Sequence, residues 1–145
     1  MKWALAVAFS LLGCGGGGGH DYADDVQGNW IAGLSDVCAM GVNFVGAGFS
    51  WNVICVNGST VELRTDQGTF EADGEKIYVT LSRSTCADAQ KKFYMPYSVG
   101  VNSLTLLTTE QALLFAPNPG GTGSGAATFG CFRNGAFVPS PLAPI

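Results

Sequence analysis

The sequence is poor in the residues that most catalytic and metal sites use. It has a single histidine, His20, and it contains neither a Gly-x-Ser-x-Gly nucleophile elbow nor a Cys-x-x-Cys pair. The shortage of histidine and the missing elbow disfavour nucleophilic hydrolysis. The missing cysteine pair disfavours zinc, whose structural sites need closely spaced ligands. We therefore expect no catalytic residues, no metal site and no cofactor.

The sequence also lacks an apolar run at its start that could cross a membrane as a helix. Residues 3–12 are an unbroken run of apolar and small residues that follows a positive charge at Lys2. A membrane-spanning helix needs about 20 such residues. A charged start, a short apolar centre and a small residue at the end are typical of a secretory signal. We interpret residues 1–13 as a signal peptide.

The end of this signal resembles the lipobox of bacterial lipoproteins. In that motif a leucine, an apolar or small residue and a Gly or Ala precede an invariant cysteine, as Leu11, Leu12 and Gly13 precede Cys14 here. The resemblance implies cleavage after Gly13 and lipidation of Cys14 with several acyl chains, which hold a protein on a membrane where one chain does not. Gly15, in place of Asp, implies the outer membrane. The alternative is an ordinary signal peptide with a chance cysteine.

Residues 14–27 are predicted to be a tether between the membrane and the domain. Glycines follow the cysteine, and Gly-rich segments behave as flexible coils. Four residues of the tether carry donor atoms suited to a divalent ion: His20, Asp21, Asp24 and Asp25. A flexible chain loses conformational entropy when it chelates an ion. We therefore predict a solvated acidic spacer, with a metal site as the alternative.

Acidic residues outnumber basic ones in the exported chain. Without residues 1–13, six Lys and Arg remain against eleven Asp and Glu. Nucleic-acid binding needs clustered cations, so a nucleic-acid partner is disfavoured. The remaining length of about 130 residues fits one domain, which we place at 28–145. Four charged residues on one long hairpin arm are predicted to form its solvated face: Glu62, Arg64, Asp66 and Glu71. The alternative is that Glu62 and Glu71 act as an acid–base pair.

The domain alternates between apolar and polar residues. In KIYVTLS, Ile77, Val79 and Leu81 recur with the period of a half-buried strand. Hairpin turns are predicted at Asn57-Gly58, Asp73-Gly74, Val101-Asn102 and Asn134-Gly135. Strands are predicted at 28–34, 48–56, 59–72, 76–83, 92–100, 103–108, 111–116 and 126–133, with longer connections at 35–47 and 117–125. Because closure removes exposed sheet edges, we predict an all-β fold, an antiparallel up-and-down barrel of about eight strands.

The pattern resembles that of lipocalin-like domains in small bacterial lipoproteins. The resemblance lies in the Gly-x-Trp sequence of Gly28 and Trp30, in GTFEADGEKIYVTL (68–81) and in YSVGVNSLTLL (97–107). It implies that Trp30 closes one end of the barrel and that the other end admits an apolar ligand. The chain departs from the family at its end. There the tail AFVPSPLAPI has prolines instead of a helix and is predicted to be extended on the surface.

A ligand inside such a barrel would contact aromatic side chains. Because ligand pockets are mostly apolar, we select candidate ligand-binding residues: Trp30, Phe44, Trp51 and Tyr97. A barrel of eight short strands is nearly filled by its own side chains, so the alternative is that these residues are core. The connection 35–47 likewise has two interpretations. It is a lid over the barrel, or its residues 42–47 begin a long second strand.

Four cysteines remain when Cys14 is set aside as the lipid anchor. Export places them in an oxidising compartment, where they allow two disulfides in three connectivities; they are Cys38, Cys55, Cys86 and Cys131. The predicted strand order places the last three at one end of the barrel and leaves Cys38 in the connection at the other end. Short sequence separation favours the pairs Cys38–Cys55 and Cys86–Cys131.

The sequence therefore predicts a membrane-anchored lipoprotein of the bacterial envelope, held in the outer membrane by acylated Cys14. Its barrel is expected to do non-catalytic binding or structural work, with a small apolar molecule as a candidate ligand. The alternative is a protein-interaction module with a filled barrel, such as an inhibitor of a secreted enzyme or a partner of another envelope protein. A hollow interior would favour the first interpretation and a packed one the second.

Overall fold

The described residues of the chain are 20–109, 111–118 and 126–145 of a computed structural model, and they form one short helix and eleven strands. The helix is α1 (Tyr22–Asp25). The strands are β1 (Gly28–Gly33), β2 (Cys38–Val45), β3 (Gly48–Asn57), β4 (Thr60–Ala72), β5 (Lys76–Ser84), β6 (Lys92–Gly100), β7 (Ser103–Leu107), β8 (Ala112–Pro117), β9 (Ala126–Arg133), β10 (Ala136–Pro139) and β11 (Ala143–Pro144).

The first eight strands close into a barrel. Each of them pairs antiparallel with the next, and β8 returns to pair with β1. The predicted all-β, up-and-down, lipocalin-like barrel is therefore confirmed. Its walls alternate as the sequence predicts, because Ile77, Val79 and Leu81 are buried inside while Tyr78 and Thr80 lie outside.

The predicted hairpin turns are confirmed. Asn134 and Gly135 have φ angles of 52° and 78°, and a two-residue type I′ hairpin requires positive φ at both of its central residues. Asn102 also has a positive φ, 59°, in the turn between β6 and β7. Asparagine tolerates this region better than other residues with side chains, which explains its place in both turns.

The long connection predicted at 35–47 is wrong in both of its interpretations, a lid and the start of a long second strand. Residues 38–45 form β2, a separate barrel strand that pairs antiparallel with β1 and β3. Its inward positions include Val42 and Phe44, both fully buried. Its outward positions include Ala39 and Gly41, and small uncharged residues there conceal the alternation. The strand predicted at 126–133 exists as β9 but lies outside the barrel, where it pairs parallel with β4.

At one end of the barrel β9 replaces β5 beside β4. The β4–β5 ladder ends where Asp66 faces Ser84, and the β4–β9 ladder begins where Leu63 faces Phe129. β10 adds to the outer edge of β9, and β11 pairs with the last residues of β5. The proline-containing tail is extended, as predicted, and its final residue, Ile145, packs against the barrel core.

The opposite end, which we call the helix end, is covered by α1 and the residues after it. Val26 is fully buried, and the Trp30 indole N–H donates to its carbonyl oxygen over 2.9 Å. The Gln27 side chain donates to the carbonyl oxygen of Gly46 and accepts from its N–H, over 2.8 and 2.7 Å. The packed structure therefore begins before Gly28, the predicted start of the domain.

The four cysteines predicted to form disulfides all lie at the other end of the barrel, which we call the disulfide end. Cys38 faces Cys55 in the β2–β3 ladder and is bonded to it, and Cys86, just after β5, is bonded to Cys131 on β9. The favoured connectivity is confirmed. The expected position of Cys38 at the opposite end is wrong, because the additional strand β2 begins at the disulfide end.

We predict that the two disulfides contribute unequally to stability. The Cys86–Cys131 bond joins residues separated by 45 positions and the Cys38–Cys55 bond residues separated by 17. By restricting the unfolded chain, the Cys86–Cys131 bond should stabilise the fold by about 4 kcal/mol and the Cys38–Cys55 bond by about 3 kcal/mol. Urea unfolding of the Cys86→Ser, Cys131→Ser double variant should show the larger loss. An equal or larger loss in the Cys38→Ser, Cys55→Ser variant would contradict the prediction.

Candidate functional site

The four candidate ligand-binding residues belong to the barrel core. Phe44 is fully buried and Trp30 is 8% exposed. Trp51 and Tyr97 are partly buried and pack against the same apolar cluster. Burial raises the pKa of the Tyr97 hydroxyl, while a hydrogen bond from the Gly74 backbone opposes this shift. The structure thus brings the four residues together as members of one packed interior.

Aromatic rings meet across the lumen of the barrel. From β3, the ring of Phe49 lies 6.4 Å from that of Phe93 on β6, and the ring of Trp51 lies 6.2 Å from that of Phe115 on β8. Both partner strands are on the far side of the barrel from β3. Ring centroids 4.5–7 Å apart are in contact. These two pairs therefore bridge the lumen between opposite walls.

The prediction of a solvated charged face is wrong for Asp66. Its side chain lies on the inner side of β4, opposite Trp51, and the residue is 4% exposed. Arg64 donates to the carboxylate through Nε, at 3.1 Å, and Nη2 lies 3.0 Å from the same oxygen. The Ser84 hydroxyl also donates to this carboxylate. A buried carboxylate needs such partners, so this network is a structural device that fixes the end of β5.

Two further carboxylates do not form the alternative acid–base pair. Glu62 lies near the tip of the β3–β4 hairpin, where Asn57 Nδ2 donates to it over 3.4 Å. Glu71 lies at the other end of β4 on the opposite face, where it faces Tyr78 of β5. Neighbouring strand residues alternate between faces, and an odd number of positions separates the two glutamates. The two carboxylates therefore cannot act on one substrate atom.

The acidic residues next to α1 are exposed, as predicted, and form local contacts. Asp21 accepts the N–H of Ala23 over 3.0 Å and so caps the helix. His20 Nε2 lies 2.9 and 2.8 Å from the two carboxylate oxygens of Asp25. The hydrogen bond to Asp25, and then the charge of Asp25, raise the pKa of His20.

We predict that His20 titrates above its ordinary pKa of 6.5 and that Asp25→Asn removes most of this shift. A raised folded-state pKa stabilises the fold below pH 6.5, and this contribution is lost as the pH rises through the folded value. The only imidazole in the chain gives an unambiguous NMR titration. Asp24→Asn is the control, since Asp24 is the smallest contributor. Equal pKa values in wild type and Asp25→Asn would refute the pairing.

A second group resembles a metal site only by proximity. Cys86, Asp88 and Cys131 place potential ligand atoms within 4.8 Å of one another. Both sulfur atoms are in a disulfide and therefore offer no thiolate. Asp88 pairs with Arg133 through two hydrogen bonds of 2.9 and 3.1 Å, which lower the pKa of its carboxyl group. These contacts hold β9 against the loop after β5.

A groove of about 340 Å³ crosses the outer wall of the barrel, and no motif in the sequence pointed to it. The ladders place Asn43, Ser50 and Gln67 in one row on its surface. Its floor includes Gly68, where a Cβ atom would lie 2.0 Å from the carbonyl oxygen of Thr80. The lining comprises Asn43, Val45, Gly48, Phe49, Ser50, Gln67, Gly68 and Ser82.

Two exposed tyrosines lie on the wall next to this groove. Tyr78 and Tyr94 face each other in the β5–β6 ladder with ring centroids 6.1 Å apart, and they are 43% and 58% exposed. The Tyr78 hydroxyl donates to Asp73 over 3.0 Å, which raises the pKa of the tyrosine. Lys76 Nζ lies 5.0 Å from the centre of the Tyr94 ring. The alternation of β5 placed Tyr78 outside but did not reveal its partner.

No protein-family model, curated protein or solved structure matches the chain. Within the part of the chain that the structure describes, no helix combines the length and apolar character needed to span a bilayer. The features that bear on function are therefore the aromatic contacts in the interior, the groove with its neighbouring tyrosines, and the sequence around Cys14, which lies outside the described residues.

Proposed function

We propose that this chain is a lipid-anchored protein of the bacterial envelope, in which a filled barrel is a non-catalytic scaffold and the outer surface makes the interactions. The observation that carries this proposal is the contact of Phe49 with Phe93 and of Trp51 with Phe115 across the lumen. Among the two functions that the sequence suggested, this packing favours an interaction module over a carrier of a small apolar ligand.

The anchor in this proposal rests on the sequence from Leu11 to Cys14. His20, the first described residue, lies beside α1 at the helix end. Six residues from Cys14 to His20 extend over at most about 20 Å. A protein held by acylated Cys14 would therefore keep the helix end near the outer membrane and direct the disulfide end away from it. The lipocalin resemblance enters the proposal through its fold and not through a ligand.

We expect the membrane-extracted protein to begin at Cys14 and to carry two or three acyl chains. Mass spectrometry of its N-terminal peptide measures this directly. The Cys14→Ser variant should lose the acyl mass and should not fractionate with the outer membrane, because the chains supply the membrane affinity. Recovery of unmodified Cys14, or of a mature N-terminus elsewhere, would overturn the lipid anchor.

We predict that the wild-type barrel does not bind small apolar molecules. Benzene should leave its melting temperature unchanged, because a ligand stabilises a fold only where it has a site. Phe44→Ala should lower the free energy of unfolding by about 3–5 kcal/mol and open a dry cavity, and benzene should then raise the melting temperature of this variant.

Leu106→Ala serves as a second cavity variant if Phe44→Ala does not fold, since Leu106 is also fully buried. Tyr94→Ala is the control, because removing an exposed ring opens no interior space. A saturable rise in the melting temperature of the wild type with benzene, or with a longer apolar probe such as oleate, would show a ligand cavity and restore the carrier function.

A further inference from the structure

We infer that the outer wall of the barrel binds an uncharged, hydroxyl-rich glycan strand. The binding surface, which we call the outer strip, combines the polar residues of the groove with the neighbouring tyrosine pair: Asn43, Ser50, Gln67, Ser82, Tyr78 and Tyr94. This inference deepens the proposed function by naming the class of partner that the outer surface binds. It rests on the proposed function only for the location in the envelope, where the protein would meet a glycan.

The groove presents hydrogen-bonding groups that the protein itself does not use. The side chains of Asn43, Ser50 and Gln67 are partly buried in adjacent strands, and within the described residues none of them has a protein partner for its polar atoms. Amides and hydroxyls both donate and accept hydrogen bonds. Sugar hydroxyl groups do the same, so a row of such side chains, about 4.8 Å apart from strand to strand, suits a chain of sugars.

The lining of the groove contains no charged residue. A site for phosphate, carboxylate or a metal ion would need charge to replace the hydration of the ion. An extended peptide is usually held by main-chain hydrogen bonds to a free sheet edge, whereas β2, β3, β4 and β5 are all paired on both sides along the groove. With ions and extended peptides disfavoured, the remaining class of ligand is an uncharged molecule with many hydroxyl groups.

The tyrosine pair extends the same surface along β5. Ser82, Thr80 and Tyr78 lie on the outer face of this strand, so the groove continues through Thr80 to Tyr78 and across to Tyr94. Tyrosine supplies a large, rigid contact area at low entropic cost, and the C–H face of a sugar ring packs on such rings. Charged residues flank this surface. In the ladders Arg83 faces Gln67, Lys92 faces Thr80 and Glu71 faces Tyr78, and Lys76 Nζ lies 5.0 Å from the centre of the Tyr94 ring.

Two sources in a bacterial envelope share this chemistry, the glycan strands of the cell wall and the polysaccharide of the outer leaflet. The full chain, extracted in detergent, should therefore be tested against purified sacculi by cosedimentation and against lipid-free outer-membrane polysaccharide on beads, with bare beads as the blank. Retention on either preparation supports the proposal, and the preparation that binds identifies the source. No retention on either would falsify it.

Variants locate the binding surface. Gln67→Ala and Tyr94→Ala should each weaken binding about fivefold to tenfold, as expected for the loss of one hydrogen-bonded or packed contact, while Tyr94→Phe should retain most of it. Gln90→Ala and Phe129→Ala are matched controls, because they remove an exposed amide and an exposed ring outside the outer strip. Equal losses in the controls, or none in the strip variants, would place any binding elsewhere.

Melting temperatures of all variants should stay close to that of the wild type, since these side chains are on the surface. Mass spectrometry of the same sample reports lipidation at Cys14, and the benzene experiment reports the packing of the interior. A lipidated, packed protein that binds neither glycan would retain the proposed function and lose this inference. A protein without lipid that binds a glycan through the outer strip would retain this inference and lose the lipid anchor of the proposed function.

Discussion

Packing of aromatic rings across the lumen is the interaction on which the barrel depends. The ladder that closes the barrel is thin. Among the described residues, β8 and β1 share the pairs Trp30–Pro117 and Ile31–Ala116, with one further hydrogen bond from the Asn118 N–H to the Asn29 carbonyl oxygen, and proline has no N–H to donate. Burial of a large apolar side chain contributes about 1.5–3 kcal/mol. The Phe49–Phe93 and Trp51–Phe115 contacts thus hold opposite walls together where the hydrogen bonds of the seam are few.

The disulfide end obeys a second constraint, because β4 is longer than its neighbour β5. Beyond Asp66 the hydrogen-bonding edge of β4 would be open, and β9 covers it in parallel orientation. The buried network of Asp66, Arg64 and Ser84 marks the point of exchange, and the Cys86–Cys131 bond ties the end of β5 to the new strand. An exposed sheet edge promotes aggregation, so the covering hairpin protects the barrel.

In the proposed function, recognition takes place on the outside of the barrel. The outer wall is not uniform: near the helix end it carries uncharged polar groups in a groove, and towards the disulfide end it carries apolar residues such as Val56 and Phe129, 53% and 44% exposed. The groove exists because Gly68 lets β4 and β5 approach closely at a bulge. The same ring contacts across the lumen brace the wall that carries this groove.

The sequence by itself determined the barrel class, the boundaries of seven barrel strands and the hairpin turns, because strand alternation and Asn-Gly or Asp-Gly turns are local signals. It also favoured the observed disulfide pairing. It did not reveal β2, whose outward positions are occupied by small residues such as Ala39 and Gly41, nor the burial of Asp66, since an alternating strand does not show which face is covered. The parallel β4–β9 pairing, the contacts across the lumen and the groove beside Gln67 were decided only by the tertiary structure, because each joins residues that are distant in sequence and are brought together only when the barrel closes.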